Sequence, residues 1–112
     1  MKKAKSTVHE GGTNIFADLG LPDAKSHFLK AQIVAELYRI ATARKLSQTK
    51  AGALMGISQP EISRLFKGHF REYSVERLMH FLTAFDRDVE IVVRPVKPRR
   101  KPGRISFTPV AA

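Results

Sequence analysis

Basic side chains are concentrated in the middle of this chain. Between residues 47 and 71, Lys50, Arg64, Lys67 and Arg71 are opposed only by Glu61, which gives the stretch a local charge of +3. Positive side chains attract the phosphate backbone of nucleic acids without reading its sequence. An ordinary solvated surface can carry the same charge. Whether these side chains form a nucleic-acid interface therefore depends on the secondary-structure elements that position them.

Two short helices are predicted across this stretch. Ser47 is a suitable N-cap for a helix over residues 48–55, and Gly56 has the backbone freedom to end that helix. Ser58 then begins a Ser-x-x-Glu capping box, which predicts a second helix running to about Lys67. Two short helices joined by so tight a turn are typical of the helix-turn-helix, the unit that places one helix in the major groove of DNA.

The second short helix has an apolar side and a polar side. Ile57, Ile62 and Leu65 are spaced so that they can fix the unit to a core, which leaves the remaining faces of the helix free. The side chains on those faces are Gln59, Pro60, Ser63, Arg64 and Lys67.

The segment from Gln48 to Gly68 resembles the helix-turn-helix of the Cro/C1-type (XRE) DNA-binding family. Each structural position carries a fitting residue type, with one departure. Gly52 stands where the family prefers alanine, and glycine inside a helix should destabilise it by up to about 1 kcal/mol. The resemblance implies a sequence-specific DNA-binding regulator.

Further segments look like the HigA-type antitoxins of that family, and the resemblance extends over about residues 13–95. These segments are residues 14–21, 68–78 and 89–94. HigA-type chains pair with a small basic toxin of the RelE/HigB type and repress their own operon as homodimers. The resemblance therefore implies a near-palindromic operator in double-stranded DNA, with half-sites about one helical turn apart. The alternatives are a stand-alone XRE-type repressor without a toxin and an interaction or RNA-binding module.

The resemblance also implies roles for individual residues. Family members place the second short helix in the major groove, where a guanidinium such as that of Arg64 can pair with O6 and N7 of guanine. A solvated side chain or an ion pair with Glu61 is the alternative for Arg64. The expected base contacts come from Gln59, Pro60, Ser63, Arg64 and Lys67. The expected phosphate contacts come from Gln48, Thr49, Lys50, Ser58, His69 and Arg71.

The flanking sequence predicts a mainly α-helical domain of four to five helices. Apolar residues recur at helical spacing from residue 24 to about residue 45, ahead of the short helices. Ser74 caps a further helix, in which the apolar residues again follow a helical period.

A β-branched run over residues 88–94 predicts a C-terminal strand. Val89, Ile91 and Val93 would lie on one face of it. A lone strand leaves backbone groups unpaired, so we expect it to pair with the same strand of a second copy and form a dimer. Packing on the chain's own helices, or pairing with residues 13–16, is the alternative.

The predicted domain, residues 14–94, lies between two basic ends. Nine of the 20 basic residues lie in the first five residues or after residue 93, and the net charge is +10. We expect residues 1–13 to be a disordered leader and residues 95–112 a disordered, proline-rich tail. The tail would add non-specific affinity for DNA, or enter a minor groove as an arm. We expect four apolar residues at the start of the domain either to dock on a toxin or to cover the first helix: Ile15, Phe16, Leu19 and Leu21.

Several classes of function do not fit this composition. The absence of cysteine excludes disulfides and thiolate zinc sites. The chain has no phosphate-binding glycine loop and no metalloprotease or serine-hydrolase motif, so we expect neither an enzyme nor a cofactor. No apolar run approaches the roughly 20 residues of a membrane span, and no signal peptide is evident. A cytoplasmic, nucleoid-associated protein is expected.

Overall fold

The computed structural model describes residues 23–96 and 102–110, whose regular structure consists of four helices. In chain order they are α1 (Asp23–Ala43), α2 (Gln48–Met55), α3 (Gln59–Phe66) and α4 (Val75–Ala84). Helix α1 packs mainly against α4, and α2 packs mainly against α3. The predicted mainly α-helical fold is confirmed, and the two short helices of the motif lie where the sequence predicts them.

Serine side chains begin the last three helices. The Ser47 hydroxyl accepts a hydrogen bond from the Lys50 backbone N–H at 3.1 Å, and the Ser74 hydroxyl accepts one from the Arg77 N–H at 3.0 Å. Each of these bonds satisfies a backbone donor that the helix itself leaves unpaired. At the other end of α2, Gly56 adopts a left-handed conformation with φ 78°, which lets the chain turn sharply into α3.

A single apolar core joins the helices. Leu37 of α1, Leu65 of α3 and Leu78 of α4 have no solvent-exposed surface, and Phe85 just after α4 is equally buried. Ile62 is fully buried on the same side of α3 as Leu65. Because the core holds that side of α3, the opposite side of the helix must face solvent.

The chain leaves the core immediately after α4. Asp86 takes a left-handed conformation with φ 64°, and its carboxylate accepts a hydrogen bond from the Arg44 guanidinium at 2.9 Å. This ion pair ties the end of α4 to the end of α1, and it lies directly before the segment predicted to be a strand.

The predicted strand at residues 88–94 is not confirmed within one chain, because the described residues contain no β-strand. Ile91 and Val93 are 76% and 91% exposed, so they do not pack on the chain's own helices. The alternative partner, residues 13–16, lies outside the described residues, as do Ile15, Phe16, Leu19 and Leu21. Pairing with a second copy stays a prediction.

Residues 102–110 have no regular secondary structure, but they contact the domain. The Phe107 side chain is half-buried and packs against the core cluster. The tail therefore touches the helical domain at one aromatic side chain. None of the described helices is long and apolar enough to cross a membrane.

Candidate nucleic-acid interface

Helix α3 and its C-cap present a polar stripe to solvent. The stripe follows an i, i+3, i+4, i+7 pattern, which places its members on one side of a helix. Its members are Pro60, Ser63, Arg64 and Lys67. Pro60, Arg64 and Lys67 are exposed and Ser63 is half-buried, whereas Ile62 and Leu65 on the other side are fully buried. The core therefore fixes the rotation of α3, and the stripe is free for a partner.

The start of α3 is held by a complete capping box. The Glu61 backbone N–H donates to the Ser58 hydroxyl at 3.2 Å, and the Ser58 N–H donates to the Glu61 carboxylate at 3.0 Å. This backbone hydrogen bond is the main cause that lowers the pKa of Glu61 below its ordinary value of 4.5. The Ser58 hydroxyl also donates to the same carboxylate at 3.2 Å. Both donors of Ser58 are thus directed at Glu61 rather than at a phosphate.

The Arg64 guanidinium is available to a ligand. It forms no ion pair or hydrogen bond within residues 23–96 and 102–110, and its side chain is exposed. The sequence left open an ion pair between Arg64 and Glu61, but the carboxylate of Glu61 is engaged by Ser58 instead. Glu61 and Glu72 line the same groove, but an exposed guanidinium that forms no ion pair with them retains its planar set of donors for a base edge or a phosphate.

The first residues of the two short helices contact each other. The Gln59 side-chain amide donates a hydrogen bond to the Gln48 side-chain oxygen at 2.7 Å. The structure therefore places these two predicted contact residues side by side, although they are eleven positions apart in the sequence. Thr49 and Lys50 follow Gln48 on α2, and both are exposed. The N-terminus of α2 and the start of α3 thus form one continuous polar surface.

Gly52 allows α2 and the turn to approach each other closely. A β-carbon at this position would lie 2.7 Å from the Ile57 carbonyl oxygen, closer than side-chain atoms normally come to backbone. The Gly52 carbonyl also accepts the Ile57 N–H at 2.9 Å, which holds the turn against the helix. The expected loss of helix stability from glycine is therefore only part of its effect, because the same glycine removes a steric clash.

The loop after α3 brings more basic groups beside the stripe. Gly68 has φ 105°, and the His69 N–H then donates to the Arg64 carbonyl at 3.0 Å. The Lys30 ammonium donates to the Arg71 carbonyl at 2.9 Å, which fastens the loop to α1. His69 and Arg71 are exposed and line one open groove together with Arg64. The structure thus gathers three predicted contact residues around a single depression.

A further arginine lies on this groove, and sequence reasoning missed it. The Arg77 guanidinium lies 5.0 Å from the centre of the Tyr73 ring and 5.4 Å from that of Phe81. Such cation–π contacts hold a guanidinium in place while leaving its edge available. No local signal in the sequence could have found it, because Tyr73 precedes the helix and the place of Arg77 beside the groove depends on how α4 packs.

Comparison with known proteins identifies the class of this unit. A family described as a helix-turn-helix domain matches residues 15–94, which includes all four helices. The chain belongs to this helix-turn-helix family. It is similar to a solved structure described as an XRE family transcriptional regulator, with 39% sequence identity and a TM-score of 0.75. The similarity covers 80% of this chain and 100% of that one. No match was found among curated proteins.

This XRE-type regulator therefore has the fold and family of DNA-binding transcriptional regulators, which are typically not enzymes. The predicted resemblance to the Cro/C1-type (XRE) family is confirmed. Helix α3 is the second helix of the helix-turn-helix.

Proposed function

We propose that this XRE-type regulator is the antitoxin of a type II toxin–antitoxin pair. As a homodimer it binds a near-palindromic operator and represses its own operon, and it neutralises a small basic toxin of the RelE/HigB type. It acts in the cytoplasm, at the nucleoid. The observation that carries the DNA-binding part is the orientation of α3, whose buried Ile62 and Leu65 leave Arg64 and Lys67 exposed.

The residues of the polar stripe and Gln59 contact the bases. The Arg64 guanidinium can donate two hydrogen bonds to O6 and N7 of guanine, and the Gln59 amide can pair with N6 and N7 of adenine. The bond between Gln59 and Gln48 supports this role, because it restricts the rotation of the reading amide before DNA arrives. Pro60 and Ser63 shape the approach, with Pro60 offering only an apolar contact to a thymine methyl group.

Phosphate contacts surround this reading surface and fix its register. Gln48, Thr49 and Lys50 stand in the first turn of α2. The Lys50 N–H already donates to Ser47, so the N–H groups of Gln48 and Thr49 and the Lys50 ammonium are the groups that would bind a phosphate. His69 and Arg71 flank the other end of α3. The two groups bracket the stripe, which is the arrangement needed to hold a helix in a groove while its side chains contact bases.

The antitoxin part rests on resemblance. Residues 14–21, 68–78 and 89–94 look like the corresponding parts of HigA-type antitoxins, and Ile15, Phe16, Leu19 and Leu21 would contact the toxin. A stand-alone repressor is the second candidate, and one observation favours it. The helix-turn-helix family matches from residue 15 onward, so these apolar residues fall inside the helix-turn-helix domain itself. In that case they cover α1.

Capture of the tagged chain from its own cells, with both protein and DNA identified, distinguishes the candidates. We expect a stoichiometric small basic protein together with the promoter of the chain's own operon. Arg64→Ala is the matched control, since it should lose the promoter and retain the protein. Recovery of the promoter without any stoichiometric protein would contradict the antitoxin role and leave a stand-alone repressor. Recovery of neither operator nor other defined DNA would contradict the proposal as a whole.

A further inference from the structure

The segment that follows α4 is rich in apolar residues, exposed and without backbone partners among the described residues. Ile91, Val92 and Val93 are 76%, 63% and 91% exposed, and Val96 is 52% exposed. Within the described part of the chain, residues 88–96 make no hydrogen bond through backbone or side chain. Three adjacent β-branched residues are unusual on a free surface, and their backbone groups are available to another strand.

The order of side chains in this segment is symmetric about Val92. Glu90 and Arg94 carry opposite charges two positions before and two positions after it, and Ile91 and Val93 are its apolar neighbours. In an antiparallel pair of identical strands related by a two-fold axis, residues equidistant from the centre face each other. A ribbon centred on Val92 would therefore set Glu90 of each copy opposite Arg94 of the other.

We infer that a second copy of this chain occupies the segment, in a two-stranded antiparallel ribbon whose register is set by these charges. The inference rests on the proposed homodimer and specifies its interface. Opposite charges directly across an antiparallel pair stabilise it, whereas like charges destabilise it, and the two-fold axis makes each effect occur twice. Alternation along the strand places both ion pairs and Val92 on one face, and Val89, Ile91 and Val93 on the other.

Pro95 is compatible with this register. If the two Val92 residues form a hydrogen-bonded pair, then the pair of Val89 and Pro95 is a non-hydrogen-bonded one. A proline there removes no bond from the ladder, because the N–H at that position points away from the partner strand. A ribbon centred on Ile91 is the nearest competitor with the same faces. It would set Arg94 opposite Asp88 and leave Glu90 opposite Val92, beside the centre of the ribbon. The register centred on Val92 forms the same number of ion pairs but leaves its unmatched carboxylate, Asp88, at the end of the ribbon opposite Val96.

Charge reversal in the full-length chain tests the register through the dimer dissociation constant, measured by sedimentation equilibrium. Glu90→Arg and Arg94→Glu should each weaken the dimer about tenfold or more, since each converts two attractive pairs into two repulsive ones. The dissociation constant of the double variant should return to within about threefold of the wild-type value. Mixing the two single variants should give a heterodimer tighter than either homodimer, because both cross-strand pairs are then attractive again.

Asp88→Arg is the matched control, since Asp88 faces Val96 in the inferred register and its reversal disturbs no ion pair. Circular dichroism checks that helix content is unchanged, as expected for side chains outside every helix. If Asp88→Arg weakens the dimer, and if the double variant of Glu90 and Arg94 does not restore it, the register centred on Val92 is overturned. A dimer insensitive to all these variants would overturn the ribbon while leaving the homodimer intact. A wild-type chain that stays monomeric would overturn both the ribbon and the proposed homodimer.

Discussion

Arg64 is the side chain on which sequence-specific binding is expected to depend most. It is exposed, lies in the middle of the α3 stripe and has no ion-pair partner among the described residues. We expect Arg64→Ala to weaken operator binding by about 1–3 kcal/mol and to relax preference at one base position. Fluorescence anisotropy on operator and scrambled duplexes at one salt concentration measures both effects. An equal loss on the two duplexes would make Arg64 a phosphate contact.

Lys67 provides the contrast to Arg64 on the same stripe. An ammonium is a point charge without the planar donor set of a guanidinium, so its main effect is expected through phosphate. Lys67→Ala should weaken operator and scrambled DNA alike and reduce the slope of log K against log salt by about 1. A selective loss on the operator alone would instead place Lys67 among the base contacts.

Glu61 is expected to make the fold sensitive to acid. Hydrogen bonds from Ser58 lower the pKa of its carboxyl below the ordinary value of 4.5, so the ionised form is favoured in the folded state. The resulting stability is present above pH 4.5 and is lost as the pH falls through the lowered pKa. Urea unfolding at several pH values should show a smaller acid loss for Glu61→Gln than for the wild type.

Glu36 is a second carboxylate with a lowered pKa, held mainly by the Arg39 guanidinium. It contributes acid sensitivity in the same direction and is unaffected by substitution of Glu61. The comparison of wild type with Glu61→Gln therefore isolates the capping box. Identical pH dependence of the two proteins would show that the Ser58 hydrogen bonds do not stabilise the folded state.

At the scale of the elements, the crossing of α2 and α3 depends on Gly52. We expect Gly52→Val to lower the free energy of unfolding by more than about 2 kcal/mol, because a β-carbon there meets backbone that cannot move aside like a side chain. Ala53→Val on the exposed side of the same helix is the control and should cost less than about 1 kcal/mol, from helix propensity alone. Urea denaturation of both variants measures the difference, and equal losses would contradict the steric explanation.

Local signals explain why the elements could be predicted from the sequence. The hydroxyls of Ser47, Ser58 and Ser74 act within three residues of themselves, so spacing alone locates the starts of three helices. The small size of Gly52 indicates that another element can approach α2 closely, but the group that it meets could not be predicted in the same way. The contact with the Ile57 carbonyl depends on the path of the chain after α2.

The candidate site could be predicted only in part, because some of its features depend on contacts between helices rather than on local sequence. The stripe on α3 follows from helical periodicity, which is sufficient to predict Arg64 and Lys67. The bond between Gln48 and Gln59 joins two helices, and the position of Arg77 beside the groove depends on how α4 packs. Neither follows from local spacing. The capping box at Ser58 was predicted, but the second bond from its hydroxyl to Glu61, which competes with a phosphate, depends on the side-chain geometry.

At the scale of the whole molecule, charge is distributed unevenly between the domain and its ends. Eleven basic and ten acidic residues lie between residues 6 and 93, so most of the net charge of +10 belongs to the ends. The basic tail is therefore expected to add affinity that does not depend on DNA sequence, while the nearly neutral domain supplies recognition.

Neutralising the tail tests this division. Replacing Arg99, Arg100 and Lys101 with glutamine should weaken operator and scrambled DNA by the same factor. The salt slope should fall by up to about 0.9 for each phosphate that the tail no longer neutralises. These substitutions leave Phe107, which packs on the core, in place. Affinity measured across a salt series gives both quantities. A loss confined to operators with A·T-rich flanks would instead indicate an arm in the minor groove.

The two sides of α3 have separate tasks, and this separation bears on how the regulator can evolve. Ile62 and Leu65 are held by the core, whereas the side chains of Arg64 and Lys67 are exposed and form no hydrogen bond or ion pair with the described residues. Substitutions at exposed positions usually change stability by less than about 0.5 kcal/mol. The operator that the protein recognises can therefore diverge, one exposed side chain at a time, among duplicated copies whose folding is unaffected. Such copies could become insulated from one another's promoters without passing through an unstable intermediate.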